Sequence, residues 1–277
     1  MIYKEIDIRV EGSLPDSKMY TYIISYSEEI DIKKRPLILI CPGGGYFRTS
    51  DREAEAFAIQ FMAMGYHAAV LRYSTAPAVY PTALLEVGRS ISYLKSKAEE
   101  WHIDENQIFV QGCSAGGHLA ASFGMFWHKE LFSQKLQVSL EDLRPAGMIL
   151  NYPVITSGEY AHIESFRNLL GDNFSDKKLL EQMSLEKQVN EHTPKTFLWH
   201  TFTDEMVPVE NSLLLVMALK NWNIETEFHL YPAGRHGLAL ATRETADTSG
   251  FGEELQCASW ISLVKIWLEA VTTTELY

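Results

Sequence analysis

One stretch constrains the fold of this chain more than any other: Ile108-Phe109-Val110-Gln111-Gly112-Cys113-Ser114-Ala115-Gly116-Gly117-His118. A β-branched and aromatic run ends in Gly112-x-Ser114-x-Gly116, and a helix-forming pattern of small residues follows. A strand that turns straight into a helix through a serine between two glycines holds that hydroxyl exposed on a tight turn. The glycines let the turn close and keep Cβ atoms away from the oxygen. Such a turn belongs at the carboxyl edge of a mostly parallel sheet, so the chain must supply further strands and helices to cover them.

It does so in order. Residues 4–10 alternate charged and apolar, and 20–25 read as a second strand, with Gly12 to Asp16 as the turn of an antiparallel pair. Pro36 to Cys41 is a continuous apolar run, the pattern of a strand buried on both faces. Ser50-x-x-Glu53 reads as a capping box, and Ala54, Phe57, Ala58, Phe61 and Met62 repeat at helical spacing. Gly65 stops that helix. Further strands are predicted over 67–73, 107–110, 146–154, 196–200 and 227–231. Helices are predicted over 80–101 and 115–126, after Pro208, and at the end of the chain, where Trp260, Leu263, Val264, Trp267 and Leu268 share one face. Strands alternating with helices predict an α/β fold, a mostly parallel central sheet with helices on both faces. Residues 155–192 break the rhythm. They are polar, carry short helical pieces, and are too long for an ordinary connection, so they are predicted to form a partial cap inserted in a single domain spanning 1–277.

Composition narrows what such a domain can bind. The formal net charge of −12 argues against nucleic acid or an anionic membrane surface as partner, since both need clustered Lys and Arg. The three cysteines, Cys41, Cys113 and Cys257, are far apart and odd in number, so neither a disulfide framework nor a zinc ligand set is expected. No basic-then-apolar leader opens the chain and no apolar run reaches membrane-spanning length, so a soluble, cytoplasmic protein is expected. No metal site and no Lys-bearing phosphate loop are visible, so no cofactor is expected. Self-association as a homo-oligomer is compatible with the sequence, which does not set an oligomeric state.

A serine hydroxyl becomes a nucleophile only when a base takes its proton, and the base needs a third group to fix its tautomer. Asp204, in Thr203-Asp204-Glu205-Met206, follows one predicted strand, and His236, in Gly234-Arg235-His236-Gly237, follows the last. Both therefore reach the edge where loops of a parallel sheet gather ligands. Glu205 is the nearby rival for the acid, and His200 and His229 fall within strands and read as packed residues. Acyl transfer also needs fixed N–H donors for the oxyanion. Ala115 opens a helix directly after Ser114 and offers one, aided by the helix dipole. Gly43-Gly44-Gly45, after the strand ending at Cys41, can bring further backbone donors close.

From Pro36 to His236 the chain resembles the esterase and lipase side of the α/β-hydrolase superfamily. Pro42-Gly43-Gly44-Gly45-Tyr46 is similar to the His-Gly-Gly-Gly motif of hormone-sensitive-lipase-like esterases, with Pro42 in place of the histidine. Tyr73-Ser74-Thr75-Ala76-Pro77 and Tyr80-Pro81-Thr82-Ala83 resemble two further pieces of that branch, without its Arg and Glu. The Asp204-Glu205-Met206-Val207-Pro208 and Gly234-Arg235-His236-Gly237-Leu238 segments look closer to bacterial acetylxylan- and feruloyl-esterase-like hydrolases. The resemblance implies an α/β-hydrolase fold, a Ser114–His236–Asp204 triad, and an oxyanion hole built by Gly44 and Gly45 with Ala115. It implies a serine carboxylesterase acting on a small-molecule ester, with acetyl-type groups and acetylated sugars as the expected substrates. Tyr46 and Tyr152 are expected to line the substrate pocket. A peptidase of the prolyl-oligopeptidase type shares the triad but brings a gating N-terminal domain that this sequence does not show. A lipase for longer acyl chains would want a more apolar lid than 155–192, and a non-catalytic receptor on this fold would have lost a triad member.

Overall fold

The opening alternation is that of a hairpin. β1 (Ile2–Asp7) pairs antiparallel with β2 (Lys18–Ile23), Ile2 opposite Ile23. The chain then enters the sheet's centre as β3 (Arg35–Cys41) and returns through α1 (Glu55–Ala63) to β4 (His67–Arg72). Next come α2 (Thr82–Ser96), α3 (Ala98–Trp101), β5 (Ile103–Cys113), α4 (Ser114–Phe126) and α5 (Glu130–Leu136). β6 (Gly147–Asn151), α6 (Ile163–Leu170) and α7 (Lys177–Gln182) follow. β7 (Thr196–Thr201), α8 (Glu210–Asn221), β8 (Thr226–Tyr231) and α9 (Trp260–Thr273) close the chain. The computed structural model describes residues 1–273.

All eight strands join one sheet in the order β1-β2-β4-β3-β5-β6-β7-β8. β2 runs antiparallel to both its neighbours, and every pairing from β4 to β8 is parallel. Side chains alternate across a strand, so a strand that is apolar throughout feeds two cores. Leu37 and Leu39 of β3 face one core with Leu84 and Ile91 of α2 and Leu119 of α4. Ile38 and Ile40 face the other with Phe57 and Phe61 of α1 and Trp260, Val264 and Trp267 of α9. That is the α/β arrangement the resemblance implies.

β4 lies on one side of β3 and β5 on the other, so the winding reverses at β3. Connecting loops diverge at such a switch point and leave a crevice beyond the strands' carboxyl ends, where α/β proteins bind ligands. The loop after β3 and the turn after β5 both open into it. They touch because Gly116 lacks a side chain, while the missing side chain of Gly112 lets the turn after β5 close on itself. A Cβ on Gly116 would lie 2.1 Å from the Cys41 carbonyl oxygen, and one on Gly112 would lie 2.1 Å from that of Gly116.

One local expectation is corrected. The capping box does not form. Ser50 makes no side-chain cap, 51–53 make one 3-10 turn, and Glu53 turns inward to 4% exposure. Residues 155–192 carry the short helical pieces expected of them, and α6 is amphipathic: Phe166, Leu169 and Leu170 are buried while Glu164 and Arg167 pair outside. The Asp176 side chain accepts from the Lys178 and Leu179 N–H groups and caps α7. The segment is tied to the body by Tyr80 N–H donating to the Leu169 carbonyl and by Ile155 and Thr156 N–H donating to Asn211 Oδ1. Among the described residues no helix is long and apolar enough to cross a membrane.

Since a methyl at position 116 must displace the Cys41 and Pro42 carbonyls, Gly116→Ala is expected to lower unfolding free energy by about 2 kcal/mol. Urea denaturation followed by tryptophan fluorescence measures it, and a midpoint equal to wild type would contradict the close approach.

Candidate active site

Ser114 begins α4 with φ +53, the left-handed region that a serine adopts only when its surroundings impose it. The imposition comes from both sides. Cys113 completes its pairing in β5, and the Ser114 carbonyl accepts from Val154 N–H at 3.0 Å. The turn leaves Ser114 9% exposed, its Oγ 2.7 Å from His236 Nε2.

His236 Nδ1 stands 2.7 Å from Asp204 Oδ2. A carboxylate oxygen can only accept, so Nδ1 carries the proton and Nε2 presents its lone pair to the serine hydroxyl. Asp204 is itself held on both oxygens. Oδ1 accepts from Met206 and Val207 N–H at 3.0 and 2.9 Å, and Oδ2 lies 3.2 Å from His200 Nε2. Burial alone would raise the Asp204 pKa, but the hydrogen bonds from His200 and His236 outweigh it and hold the carboxyl below its usual range. His200 is pushed down by burial and is neutral. Its Nε2–H faces the Asp204 carboxylate and the Val207 carbonyl, which leaves Nδ1 to accept from Ser212 Oγ at 2.7 Å. The packed role expected of His200 is thus half of its role, since it is also a second donor to the acid. His229 is different, half-buried on β8 and paired with Glu227.

Opposite the serine runs the glycine loop. Gly43 N–H is taken by Glu53 Oε2 at 2.8 Å, whereas among the described residues Gly44 and Gly45 N–H find no acceptor. Ala115 N–H lies in the first turn of α4, where helical donors have no intrahelical partner. Gly44 and Gly45 have φ +130 and +65. The loop is braced at each step: Tyr73 Oη donates to the Pro42 carbonyl at 2.7 Å, and Asn168 Nδ2 of α6 to that of Gly45 at 2.8 Å. The motif's first position thus needs only a carbonyl, which Pro42 keeps.

Tyr46 and Tyr152, expected at the substrate pocket, are drawn into the interior. Both are buried, with hydroxyls committed inside the protein, because a buried phenol must find a partner. Tyr46 Oη is 2.9 Å from His118 Nδ1 and its ring borders a closed cavity of about 10 Å³, too small for an acyl group. Tyr152 Oη donates to Glu53 Oε1 at 2.7 Å and accepts from Ala239 N–H at 2.9 Å, with its ring T-shaped against His236 at 5.2 Å. Burial drives both phenols well above their usual pKa, and drives up the Cys113 thiol beside the nucleophile, which stays protonated.

The open space lies on the other side of His236. A cleft of about 540 Å³ is walled by Thr203, Glu205, Met206, Arg235, Asp247 and Phe251. Glu205, the rival acid, is part of this wall. Phe251 lies between the Arg52 and Arg235 guanidiniums at 5.3 and 5.1 Å. From α6 and the turn before it come Ser165 and His162, bonded to each other at 2.8 Å. Burial, with His236 nearby, lowers the His162 pKa. A larger cleft of about 960 Å³ sits beside the amino ends of β6 and β7 and holds no triad residue. Sequence reasoning missed Glu53, Asn168, His162 and the Phe251 loop. Only Glu53 left a signal, a carboxylate in a capping pattern.

Residues 25–219 match the BD-FAE family. Endo-1,4-beta-xylanase B of Butyrivibrio fibrisolvens is 36% identical over 265 residues, covering 87% of this chain and 41% of that protein. Acetylxylan esterase of Xylanibacter ruminicola is 30% identical over 208 residues, 73% of this chain and 40% of that one. The chain thus spans about two fifths of the length of these curated relatives. The crystal structure of an acetyl ester-xyloside bifunctional hydrolase from Caldicellulosiruptor lactoaceticus superposes with a TM-score of 0.83 at 34% identity, covering 97% of this chain and 96% of that one.

The support under the glycine loop titrates. His118 donates Nε2–H to the Met183 carbonyl and receives Tyr46 Oη, and burial pushes its pKa down to about 4. An imidazole in the unfolded chain titrates near ~6.5, so between these values the unfolded state takes up a proton that the folded state refuses. Stability contributed by neutral His118 is therefore whole above that window and lost as pH falls through it. The slope of unfolding free energy from pH 6.5 to 4 is expected to be shallower in His118→Gln, by about 1.4 kcal/mol per pH unit. Urea titrations at several pH values check this, and equal slopes would refute it.

Proposed function

The chain belongs to the BD-FAE family and has the α/β-hydrolase fold, and on that premise we propose that it is a serine carboxylesterase acting on short-chain esters of small polyhydroxy alcohols, acetylated xylose-type sugars foremost. The observation that carries the reading is one continuous hydrogen-bonded line, Ser114 Oγ to His236 to Asp204, facing N–H groups with no acceptor among the described residues.

In this reading His236 Nε2 takes the Ser114 proton as Oγ attacks the ester carbonyl. Negative charge gathers on the carbonyl oxygen, where Gly44, Gly45 and Ala115 N–H groups meet it without having to reorganise. Asp204 stabilises the imidazolium formed next to it, and His200 and two backbone donors keep that carboxylate ionised and aimed. Collapse of the tetrahedral intermediate expels the alcohol, which receives its proton from His236. Water then enters, gives its proton to the same nitrogen, and releases the acid from Ser114.

Two features support a small acyl group and a polar alcohol. The space bordered by the buried Tyr46 is a cavity of about 10 Å³, without room for a long acyl chain. The cleft beside His236 offers Glu205, Arg235 and Asp247 around one aromatic ring, a lining suited to sugar hydroxyls and to an apolar ring face. The names of the relatives, xylanase, acetylxylan esterase and acetyl ester-xyloside hydrolase, point to the same substrate class.

The expected profile over p-nitrophenyl esters peaks at acetate and falls towards palmitate, with acetylated xylose deacetylated and Ser114→Ala inactive on all. A rise towards palmitate would refute the small-ester reading. Fluorophosphonate labelling that persists in Ser114→Ala would refute the nucleophile. p-Nitrophenyl xyloside in the same panel separates ester from glycoside cleavage.

A further inference from the structure

Three segments distant in sequence must agree in position for this chemistry: the glycine loop after β3, the serine turn after β5 and the histidine loop after β8. The first and third are joined through two buried side chains, Glu53 and Tyr152. Glu53 Oε2 accepts from Gly43 N–H at 2.8 Å, one peptide ahead of the Gly44 donor. Its other oxygen accepts from Tyr152 Oη at 2.7 Å. Tyr152 in turn accepts from Ala239 N–H at 2.9 Å, three residues past His236, and packs its ring on the imidazole. Space is tight along this path. A Cβ on Gly43 would meet Glu53 Oε2 at 2.7 Å and Ser114 Cβ at 3.1 Å.

We propose that Glu53 is a positioning residue that holds the oxyanion loop and the His236 loop in register through Gly43 and Tyr152. The inference rests on the reading of Ser114 as nucleophile. A carboxylate fits the task because each oxygen accepts and none donates, so two donors on separate loops are drawn to one rigid plane. Glutamine has the same length but one accepting oxygen, so it can serve Gly43 or the Tyr152 hydroxyl proton and not both. Burial makes the mismatch costly, since a buried donor without a partner has no water to turn to.

Glu86 supplies the comparison. It is equally a buried glutamate, accepting from Ser13, Ser17 and Ser74 through their hydroxyls and the Ser74 N–H. Its partners lie in the turn before β2 and the segment after β4, away from the serine and histidine loops. It is a staple of the fold.

The experiment compares Glu53→Gln, Tyr152→Phe, their double variant, Glu86→Gln and Ser114→Ala. Active sites are counted by fluorophosphonate titration, and kcat and KM on p-nitrophenyl acetate are expressed per titrated site. Affinity for a trifluoromethyl ketone, whose adduct with the serine carries the oxyanion, reports the transition-state geometry. Displacing aligned groups by a fraction of an ångström to an ångström costs roughly ten- to a hundredfold. Glu53→Gln and Tyr152→Phe are therefore expected to lose about tenfold or more in kcat and in ketone affinity together, with KM nearly unchanged. The double variant should lose little beyond the worse single one, since both break the same path. Glu86→Gln should lower Tm with kcat per site close to wild type. Should Glu53→Gln fail to fold, Tyr152→Phe, which loses a single oxygen, decides the matter. Per-site kcat and ketone affinity held at wild type in Glu53→Gln or, failing that, in Tyr152→Phe, with only Tm reduced as in Glu86→Gln, would overturn the role of Glu53 while leaving Ser114 in place. Continued labelling and hydrolysis by Ser114→Ala would overturn the nucleophile, and this inference with it.

Discussion

Everything at the candidate site depends on how closely the start of α4 approaches the end of β3. Gly116 removes the Cβ atom that would hold these backbones apart, and Gly112 the one that would hold α4 off the end of β5. The helix therefore begins against the end of β3, and Ser114 takes the left-handed conformation that joins β5 to α4. Because β3 and β5 are neighbours where the winding reverses, their two loops open into one crevice instead of being separated by a covering helix. The serine hydroxyl and the glycine-loop N–H groups meet because of that contact. A bulkier residue at either position would move the donors and the nucleophile apart together.

Polar bonds, more than apolar packing, then fix what the sheet delivers. The loops after β3, β7 and β8 carry little hydrophobic weight at their tips. Each is pinned by side chains that reach backbone groups: Tyr73 on Pro42, Asn168 on Gly45, Thr201 and Thr203 on Gly234, and the Asp204 carboxylate on Met206 and Val207. Such bonds are directional, so they set orientation as well as distance. The buried charge of Asp204 is tolerated for the same reason. Two backbone donors, His200 and His236 replace the water it has lost.

The parts of this arrangement legible in the sequence are those with a local cause. The central strands announce themselves as unbroken apolar runs, since burial on both faces demands it of every side chain. The serine turn is legible because its glycines answer a local steric need, and Asp204 and His236 because each follows a strand. Residues whose role comes from partners far away carry no such local signal. Glu53 stands in a capping pattern yet bonds Gly43 and Tyr152. Tyr46 and Tyr152 stand at strand ends on the site's edge yet point inward, where His118 and Glu53 wait for their hydroxyls. α6 hides in a polar segment because two turns of helix need only three apolar residues to dock.

Local pattern alone carries the alternation of strands and helices, the serine turn and the candidate acid and base, since propensity, periodicity and loop position act within a few residues. Which N–H groups stay unpaired among the described residues, and which carboxylate supports the glycine loop, come from tertiary contacts. Those outcomes depend on distances between segments separated by tens to more than a hundred residues. Such distances are set when the sheet closes and the last buried donors must find acceptors, and no local pattern encodes them.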